Sequence, residues 1–332
     1  MWLPAFAALS ILYSACGFAT ELGIQGTRFT VDGRPTFLLG ISYYGALCAS
    51  ESTIQQDLQS MKQRGINWIR VWADWAAYDN DVSCVHASGA PREPYLEKLR
   101  QLVARCDELG IIVDVTLARG LKVGPQVLLS DMASHRRAVT TIVQSLREYR
   151  NWYIDLANER NVRDSRYVSL DEIGALCGDV KTIAPEVPVT ASQGGDIGED
   201  ELRRYLEVAR VDLITPHRPR HKGTPAETAD ATRRYLGSMQ ELGCVVPVHY
   251  QEPFRRGYGD WEPPADGFLE DLRAAVEAGA AGWCLHNGGS RQSDDGRPRR
   301  SFDLRDGPLF SQLDTEEMQV VAGMAAAVGA AP

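Results

Sequence analysis

Two glutamates in this sequence stand directly after apolar runs, at positions where buried strands would end. Glu159 follows the run 152–158, and Glu252 follows the run 248–251. Two carboxyl groups that face each other can cleave a glycosidic bond, because one protonates the leaving oxygen while the other attacks the anomeric carbon. Carboxyl groups about 5–5.5 Å apart retain the anomeric configuration, whereas wider pairs admit a water molecule and invert it. Glu159 and Glu252 are therefore the first candidates for chemistry.

The elements that must position these glutamates recur along the chain as one unit: a polar loop, an amphipathic helix, a glycine and a short apolar strand. Apolar residues at helical spacing over 54–61 precede Gly65 and a strand, and the same order leads to Gly110, Gly243 and Gly279. Helices of this kind bury one face, and a glycine after the helix takes the left-handed conformation at little cost. Continuous apolar strands are typical of a parallel sheet that is covered on both faces.

Eight such strands are predicted. Their approximate positions are 37–42, 68–72, 110–117, 152–158, 188–192, 211–216, 245–251 and 282–286. Eight β/α units close a (β/α)8 TIM barrel, in which functional groups lie where strands end. Glu159 and Glu252 would then face each other across the barrel mouth. The alternative, an open doubly wound sheet, needs a glycine-rich phosphate-binding turn after an early strand, and the sequence has none.

The domain organisation follows from length and composition. With 332 residues, the chain suits a single α/β domain over 21–332, and a short N-terminal β-hairpin at 23–35 would cover the barrel bottom. The formal net charge of −9 argues against nucleic acid as a partner, since phosphate binding needs a basic surface. His217 and His221 are four residues apart but fall in a predicted loop, so neither a metal nor another cofactor is expected.

At the level of motifs, the sequence resembles the glycoside hydrolases of clan A, and most closely the family 5 cellulase–mannanase group. The resemblance covers about 29–287 and is carried by four segments: 67–71 (NWIRV), 155–159 (DLANE), 251–252 (QE) and 282–283 (GW). It implies a TIM-barrel glycosidase that acts on a β-linked oligo- or polysaccharide by a retaining double displacement.

The resemblance also assigns roles to residues. It implies that Glu159 is the general acid/base and Glu252 the nucleophile, that Asn158 holds the sugar 2-hydroxyl, and that Arg70 braces the nucleophile. Arg70 should lower the pKa of Glu252, while burial beside the charge of Glu252 should raise the pKa of Glu159.

Further substrate contacts are expected from aromatic and histidine side chains. The resemblance implies that Trp283 forms the base of the subsite that holds the reacting sugar, and that His217 orients Glu252 or the sugar. Tyr43 and Trp72 fall at or near loops after strands, where aromatic rings can stack on the apolar faces of sugars. Ordinary packing between loops is the alternative for any one of these aromatic residues.

Three positions depart from the family pattern. Arg160 stands where proline usually follows the Asn-Glu pair, and Thr116 and Leu117 stand where a histidine often ends the third strand. Pro253 and Phe254 replace an aromatic–glycine pair after the second glutamate. These differences leave the subfamily and the substrate open.

Basic residues are concentrated in the loops after the last three strands, although the chain is acidic overall. They are Arg218, Arg220, His221, Lys222, Arg255, Arg256, Arg291, Arg297, Arg299 and Arg300. One hypothesis is an anionic sugar gripped by arginines. The simpler interpretation is solvated loops whose charges Asp260, Asp294 and Asp295 neutralise.

The first 20 residues are predicted to be a leader. They begin with an apolar stretch and contain Gly17-Phe18-Ala19, which resembles a cleavage site, and a degenerate lipoprotein box that would place a lipid anchor on Cys16. An uncleaved apolar anchor is the alternative. A secreted, periplasmic or cell-envelope location is expected, with no later membrane span. Cys48 and Cys84 are either a disulfide or two free thiols.

Two other functions compete with the leading hypothesis. The barrel could bind glycan without cleaving it or could transfer glycosyl groups to a second sugar, or it could be a metal-dependent hydrolase. The linkage, the sugar and the choice between internal and terminal cleavage depend on loop shape.

Overall fold

The computed structural model describes residues 19–78, 80–118, 122–123, 126–163, 166–257, 260–288 and 301–329. Residues 1–18 of the predicted leader, with Cys16, and the arginines between 291 and 300 lie outside the described residues. In the described part of the chain, no helix is long and apolar enough to cross a membrane. Cys48 and Cys84 are free thiols in the structure, so the disulfide considered for them is not formed.

Strands and helices alternate through most of the described chain. The strands are β1 Leu22–Gln25, β2 Arg28–Val31, β3 Arg34–Thr36, β4 Leu38–Ser42, β5 Trp68–Trp72, β6 Ala76–Ala77, β7 Asn80–Asp81, β8 Ile112–Ala118, β9 Lys122–Val123, β10 Gln126–Val127, β11 Trp152–Asn158, β12 Val189–Thr190, β13 His249–Tyr250 and β14 Gly282–Leu285. The α-helices are α1 Glu51–Gln63, α2 Tyr95–Leu109, α3 Met132–Leu146, α4 Leu170–Ile183, α5 Glu199–Arg204, α6 Thr224–Glu241, α7 Ala265–Glu277 and α8 Thr315–Gly329. Single helical turns lie at Ala46–Cys48 and Leu309–Ser311, and α5 continues into a π-helical turn at Tyr205–Ala209.

Seven parallel strands form the barrel sheet in the order β12-β11-β8-β5-β4-β14-β13. The segment predicted as the sixth strand, 211–216, joins the two edges through isolated parallel bridges, from Pro216 to Gln193 and from Ile214 to Val248. These bridges complete the eighth position, so the predicted TIM barrel is confirmed. The sixth position lacks a full strand, and the Asp212 carboxylate accepts a hydrogen bond from the Val189 N–H at 2.8 Å.

The helices begin and end where local chemistry favours it. α4 begins after Ser169, whose hydroxyl accepts from the Glu172 N–H while the Glu172 carboxylate accepts from the Ser169 N–H. α2 ends at Gly110, which has a left-handed φ of 73°. The Ser169 cap therefore fixes where α4 begins, and Gly110 turns the chain from α2 toward β8.

A three-stranded antiparallel sheet, β1-β2-β3, lies at the amino-terminal end of the barrel, where a hairpin was predicted. Its Phe29 side chain is fully buried. It stacks on Tyr153 with a ring-centroid distance of 6.3 Å and meets His249 edge-on at 5.7 Å. Since Trp68 also packs in this apolar cluster, the small sheet closes the barrel bottom as predicted.

The barrel interior changes from apolar to polar toward the mouth. Along a strand, alternate side chains share one face, and on β5 this face carries Trp68 in the bottom cluster, then Arg70, then Trp72. Arg70 is fully buried yet hydrogen-bonded to several polar groups of neighbouring strands. The fold thus builds a polar layer directly under the mouth, and this layer positions the candidate site.

Candidate active site

Glu159 and Glu252 lie together at the mouth of the barrel. Glu159 follows β11 directly, and Glu252 lies two residues beyond β13. His217 lies between them, with Nδ1 3.2 Å from Glu159 Oε1 and 3.6 Å from Glu252 Oε2. The facing atoms of the two carboxylates and the histidine lie within 4.8 Å of one another. The structure therefore brings together the two carboxyl groups identified in the sequence.

The backbone at Glu159 is unusual. Glu159 has a φ of 47°, in the left-handed region that a residue with a side chain rarely adopts. The pairing of β11 with β8 shifts register between Asp155 and Asn158, and the Glu159 N–H donates to Ser192 Oγ at 2.9 Å. Such a conformation costs on the order of 1–3 kcal/mol and persists only where the surroundings enforce it. Here it follows a break in the strand ladder and places the Glu159 side chain beside His217.

Arg70 holds Glu252 from below. Its Nη1 donates to Glu252 Oε2 at 2.6 Å, and its Nη2 donates to Asp155 Oδ2 and to Asn158 Oδ1, each at 2.9 Å. Its Nε donates to Thr116 Oγ1 at 3.0 Å. The guanidinium is thus fixed by side chains of β8 and β11 and aims one N–H at the candidate nucleophile beyond β13. Asn158, assigned to the sugar 2-hydroxyl by resemblance, is held by the same arginine.

A further polar layer supports this arrangement. Asp114 lies 3.3 Å from Arg70 Nε and accepts hydrogen bonds from Gln251 Nε2 at 2.6 Å and from the Tyr153 hydroxyl at 3.1 Å. Burial raises the pKa of Asp114, and the charge of Arg70 opposes that rise. Because Gln251 directly precedes Glu252, its bond to Asp114 fixes the backbone from which the candidate nucleophile projects.

Three further residues contact Glu252, and none of them was predicted from the sequence to contact the nucleophile. Arg220 Nη2 donates to Glu252 Oε1 at 2.8 Å, and His286 Nε2 lies 3.2 Å from the same oxygen. The Tyr44 hydroxyl donates to Glu252 Oε2 at 3.4 Å and lies 2.7 Å from His286 Nδ1. Tyr44 and His286 both stand at the ends of barrel strands, and that position is the signal that could have identified them.

The electrostatics of the pair differ in part from expectation. Burial alone would raise the pKa of Glu252, but contacts with His286 and His217 and the Arg70 charge hold that pKa well below its usual range. Burial also acts to raise the pKa of Glu159, but the hydrogen bond with His217 and the Arg220 charge outweigh it, and the net shift is downward. The prediction that the pKa of Glu159 is raised is therefore wrong for the ligand-free protein.

Two aromatic residues expected at the site lie outside it. The Trp283 ring is fully buried, and its Nε1 donates to Asp271 of α7 at 2.7 Å. The Tyr43 hydroxyl donates to Asp57 of α1 at 2.9 Å. Both residues occupy outward-facing positions of their strands, since strand side chains alternate between faces. The sugar-binding roles expected for Trp283 and Tyr43 are therefore corrected to packing of strands against helices.

Trp72 remains at the mouth and is partly exposed. Its ring contacts Tyr44 at a centroid distance of 5.4 Å and Trp75 at 5.4 Å. Among the described residues, the Trp72 indole N–H has no hydrogen-bond partner although it is buried. A sugar hydroxyl could accept from this group, so the substrate contact expected for Trp72 stays a prediction.

Arg160, which stands where the family usually has proline, has a structural explanation. Its side chain is fully buried, and its Nε donates to the Tyr205 hydroxyl at 2.8 Å. It also forms an ion pair with Glu201 and donates to Gln193 Oε1 at 3.3 Å. Arg160 therefore ties the loop after Glu159 to α5 and to the loop after β12.

Among the described residues, Glu159, His217 and Glu252 are the set of side chains that could hold a metal ion. Both oxygens of Glu252, however, accept hydrogen bonds from guanidinium groups, one from Arg70 and the other from Arg220. A metal ion bound there would be repelled by two positive charges at short range. The donor set therefore fits an acid/base and nucleophile pair better than a metal centre.

No protein-family model and no curated protein matches the sequence. Solved structures do match. A family 5 mannosidase from Rhizomucor miehei superposes with a TM-score of 0.64 and 14% identity, over 93% of this chain and 97% of that chain. The endo-β-1,4-mannanase from Thermotoga petrophila gives a TM-score of 0.60 and 14% identity, over 90% and 78% of the two chains. The barrel is the one found in family 5 glycoside hydrolases.

A proposed glycoside hydrolase from Bacteroides vulgatus also matches, with a TM-score of 0.70 and 14% identity. This chain is covered over 95% of its length but spans only 62% of that protein. At this level of identity the similarity establishes the fold, so the chemistry has to be argued from the site itself.

Proposed function

We propose that this protein is a retaining glycoside hydrolase that cleaves a β-linked oligo- or polysaccharide. The supporting observation is that Glu159 and Glu252 end opposite barrel strands and face each other, with their nearest ligand atoms within 4.8 Å. Retaining enzymes hold their two carboxyl groups about 5–5.5 Å apart, and inverting enzymes about 6.5–9.5 Å apart. The close approach of the two carboxylates supports the retaining mechanism.

In the first step, a Glu252 carboxylate oxygen attacks the anomeric carbon and forms a glycosyl ester. The bond to the leaving oxygen breaks, and that oxygen takes the proton of the Glu159 carboxylic acid. Arg70 and Tyr44 contact Glu252 Oε2 at 2.6 and 3.4 Å. Because they hold one carboxylate oxygen in place, the other oxygen is the one that would be directed at the sugar.

In the second step, Glu159 acts as a base. Its carboxylate removes a proton from water, the water oxygen attacks the anomeric carbon, and Glu252 leaves as a carboxylate. The change of role has an electrostatic cause, since the negative charge of Glu252 raises the pKa of Glu159. Formation of the ester removes that charge, so the pKa of Glu159 falls when a base is required.

Hydrolysis of aryl β-glycosides and of β-glucan, mannan and xylan would test the proposal, with Glu252→Ala and Glu159→Ala compared with wild type. Glu277→Gln is the matched control, because Glu277 is exposed at the end of α7. We expect both site variants to lose at least about a thousandfold in kcat/KM on polymers, and the control to retain full activity. The anomeric configuration of the first product, followed by NMR, should be that of the substrate.

Other outcomes separate the competing functions. Cleavage that survives Glu252→Ala would remove the assignment of the nucleophile. If the first product has the inverted anomeric configuration, the retaining mechanism is overturned, but the assignment as a glycosidase stands. Saturable glycan binding with no cleavage of any substrate would favour the non-catalytic alternative, and glycosyl transfer to an added acceptor sugar would favour a transglycosylase.

A further inference from the structure

Arg220 lies between the two carboxylates at the mouth. Its Nη2 is 2.8 Å from Glu252 Oε1 and 3.9 Å from Glu159 Oε1, and its side chain is 15% exposed. In a glycosidase, the two carboxyl groups flank the bond that breaks. The guanidinium of Arg220 therefore borders the space that the anomeric carbon would occupy.

Arg220 covers the oxygen of Glu252 that Arg70 does not hold. Oε2 accepts from Arg70, and Oε1 accepts from Arg220. Arg70 is fully buried and also donates to Asp155 and Asn158, so its side chain is held in place. Arg220 stands on a loop at the rim and keeps some exposure, so its movement would uncover Oε1 on one side, while His286 Nε2 stays 3.2 Å from that oxygen.

The backbone around Arg220 is anchored, so its side chain is the part that can move. Arg218 Nη1 donates to Asp196 Oδ1 at 2.5 Å, and the Thr224 hydroxyl donates to the Pro219 carbonyl at 2.8 Å. Both anchors lie within four residues of Arg220. A rotation of the Arg220 side chain would uncover Glu252 without rearranging the loop.

Separating a largely buried ion pair is costly unless a replacement partner is supplied. A neutral sugar offers Arg220 only hydroxyl groups, whereas a carboxylate or sulfate offers two anionic oxygens that match the guanidinium geometry. A second arginine lies nearby, since Arg255 Nη1 is 3.2 Å from His286 Nε2, which is itself 3.2 Å from Glu252 Oε1. Arg255 therefore lies near Glu252 with His286 between them.

The protonation state needed for catalysis favours the same kind of ligand. Arg220 borders the space between Glu159 and Glu252. When Glu159 carries the proton that it must donate, one negative charge is lost from these three side chains, and an anionic sugar restores it. Arg220 also helps to lower the pKa of Glu159, so its movement away allows that pKa to rise toward the value an acid needs.

We propose that Arg220 is a specificity-determining residue that pairs with the nucleophile and moves onto an anionic group of the reacting sugar when the sugar binds. The substrate class is then a glycan with a uronic acid, or with a sulfated sugar, at the cleavage position. This inference rests on the proposed glycosidase function and narrows its substrate.

The test compares aryl β-glycosides that share one leaving group: glucoside with glucuronide and 6-sulfoglucoside, and galactoside with galacturonide. Wild type, Arg220→Gln and Arg220→Lys are assayed, with Arg136→Gln as the control because Arg136 is exposed and paired with Asp179. We expect wild type to prefer an acidic member by at least about tenfold in kcat/KM. We expect Arg220→Gln to lose about 10–100-fold on that member and to keep or gain rate on its neutral counterpart, with Arg220→Lys intermediate.

The two kinds of acidic glycoside distinguish the possible anionic groups. If wild type prefers the uronide, Arg220 binds a carboxylate, and if it prefers the sulfated sugar, Arg220 binds a sulfate ester. A wild type that prefers the neutral member of each pair, or an Arg220→Gln variant that loses rate equally on both members, overturns this inference and leaves the glycosidase function intact. If wild type cleaves neutral β-glucan, mannan or xylan but no acidic glycoside, the inference is likewise overturned and the glycosidase function stands. If none of these glycosides or polymers is cleaved, the proposed function fails as well.

Discussion

Arg70 Nη1 lies 2.6 Å from Glu252 Oε2, which is the shortest contact that this arginine makes with a carboxylate. The same guanidinium bonds Asp155 at 2.9 Å and lies 3.3 Å from Asp114, so one cation serves three carboxylates. Charges removed from water are tolerated only when paired and hydrogen-bonded. The position of the candidate nucleophile and the stability of the barrel interior are therefore coupled through Arg70.

This coupling predicts that Arg70→Met reduces both stability and activity. Removal of one partner of a buried ion pair costs about 3–5 kcal/mol, because the remaining carboxylates keep their charge without compensation. Urea unfolding should show this loss, and kcat/KM should fall in parallel. Arg70→Lys should lose less stability than Arg70→Met, because it keeps the positive charge. It should still be less stable than wild type, because lysine cannot reproduce the forked hydrogen bonds.

The exposed pair of Arg136 and Asp179 supplies the control, since replacement of Arg136 by Gln should change the free energy of unfolding by about 1 kcal/mol at most. If Arg70→Met unfolds at the same urea concentration as wild type, Arg70 does not compensate the buried carboxylates.

The second prediction concerns the pH dependence of activity. The acid must be protonated, and the pKa of Glu159 lies below its ordinary value of 4.5 in the ligand-free protein. Because kcat/KM reports the free enzyme, it should already be falling with rising pH below pH 4.5. The acid limb, set by Glu252, should lie lower still, since the pKa of Glu252 is held well below its usual range.

Arg220→Gln removes a positive charge that lowers the pKa of Glu159, so the alkaline limb of kcat/KM should move to higher pH. The profile should be measured from about pH 3 to about pH 8 on the best substrate. An alkaline limb that stays at the wild-type pH in Arg220→Gln would show that Arg220 does not set the pKa of Glu159.

Much of the fold could be predicted from the sequence because long apolar runs leave little choice. The run 152–158 was predicted as a strand and is β11, and the glycines after helices mark the strand starts. The segment 211–216 was the exception. It is apolar enough for a strand, but the Asp212 carboxylate accepts from the Val189 N–H in place of a backbone ladder bond.

The site was harder to predict, and the errors have one physical cause. Tyr43 and Tyr44 are adjacent aromatic residues, and only the register of β4 decides which one faces the mouth. A shift of one residue moves a side chain to the other face, so the sequence favoured Tyr43 where the structure places Tyr44. Arg220 reaches the site from a loop, and loop positions follow no period that a sequence reveals.

The third prediction follows from the corrected position of Trp283. Burial raises the pKa of its partner Asp271 from 3.8 to about 6, and hydrogen bonds from Thr228 and Trp283 oppose that rise. A raised folded-state pKa contributes stability that is fully present below the unfolded pKa and is lost as the pH rises through the folded pKa. Relative to Asp271→Asn, wild type should therefore lose up to about 3 kcal/mol between about pH 4 and about pH 6.

Chemical unfolding of both proteins across that pH range measures the difference, and other buried carboxylates such as Asp57 cancel because both proteins contain them. Below about pH 4, the difference in the free energy of unfolding between wild type and Asp271→Asn should be constant. Between about pH 4 and about pH 6, that difference should change as wild type loses stability. A constant difference at every pH would mean that Asp271 titrates normally in the folded protein.

The fourth prediction uses the neighbouring tyrosines as a matched pair. The Tyr44 hydroxyl contacts Glu252 at 3.4 Å and His286 at 2.7 Å, whereas the Tyr43 hydroxyl donates to buried Asp57 at 2.9 Å. Tyr44→Phe should lower kcat/KM by about tenfold, because a hydrogen bond to a charged group contributes about 1.5–3 kcal/mol. Tyr43→Phe should lower the free energy of unfolding by about 1–3 kcal/mol and leave kcat/KM within about threefold of wild type.

Both variants remove a single hydroxyl from the same strand end, so differences in size or in expression cannot explain opposite effects. Steady-state kinetics and urea unfolding are measured on both variants. The structure predicts that the large change is in kcat/KM for Tyr44→Phe and in the free energy of unfolding for Tyr43→Phe. If Tyr43→Phe impairs catalysis while Tyr44→Phe does not, the side chains after β4 face the opposite way, and Glu252 must be held by groups other than Tyr44.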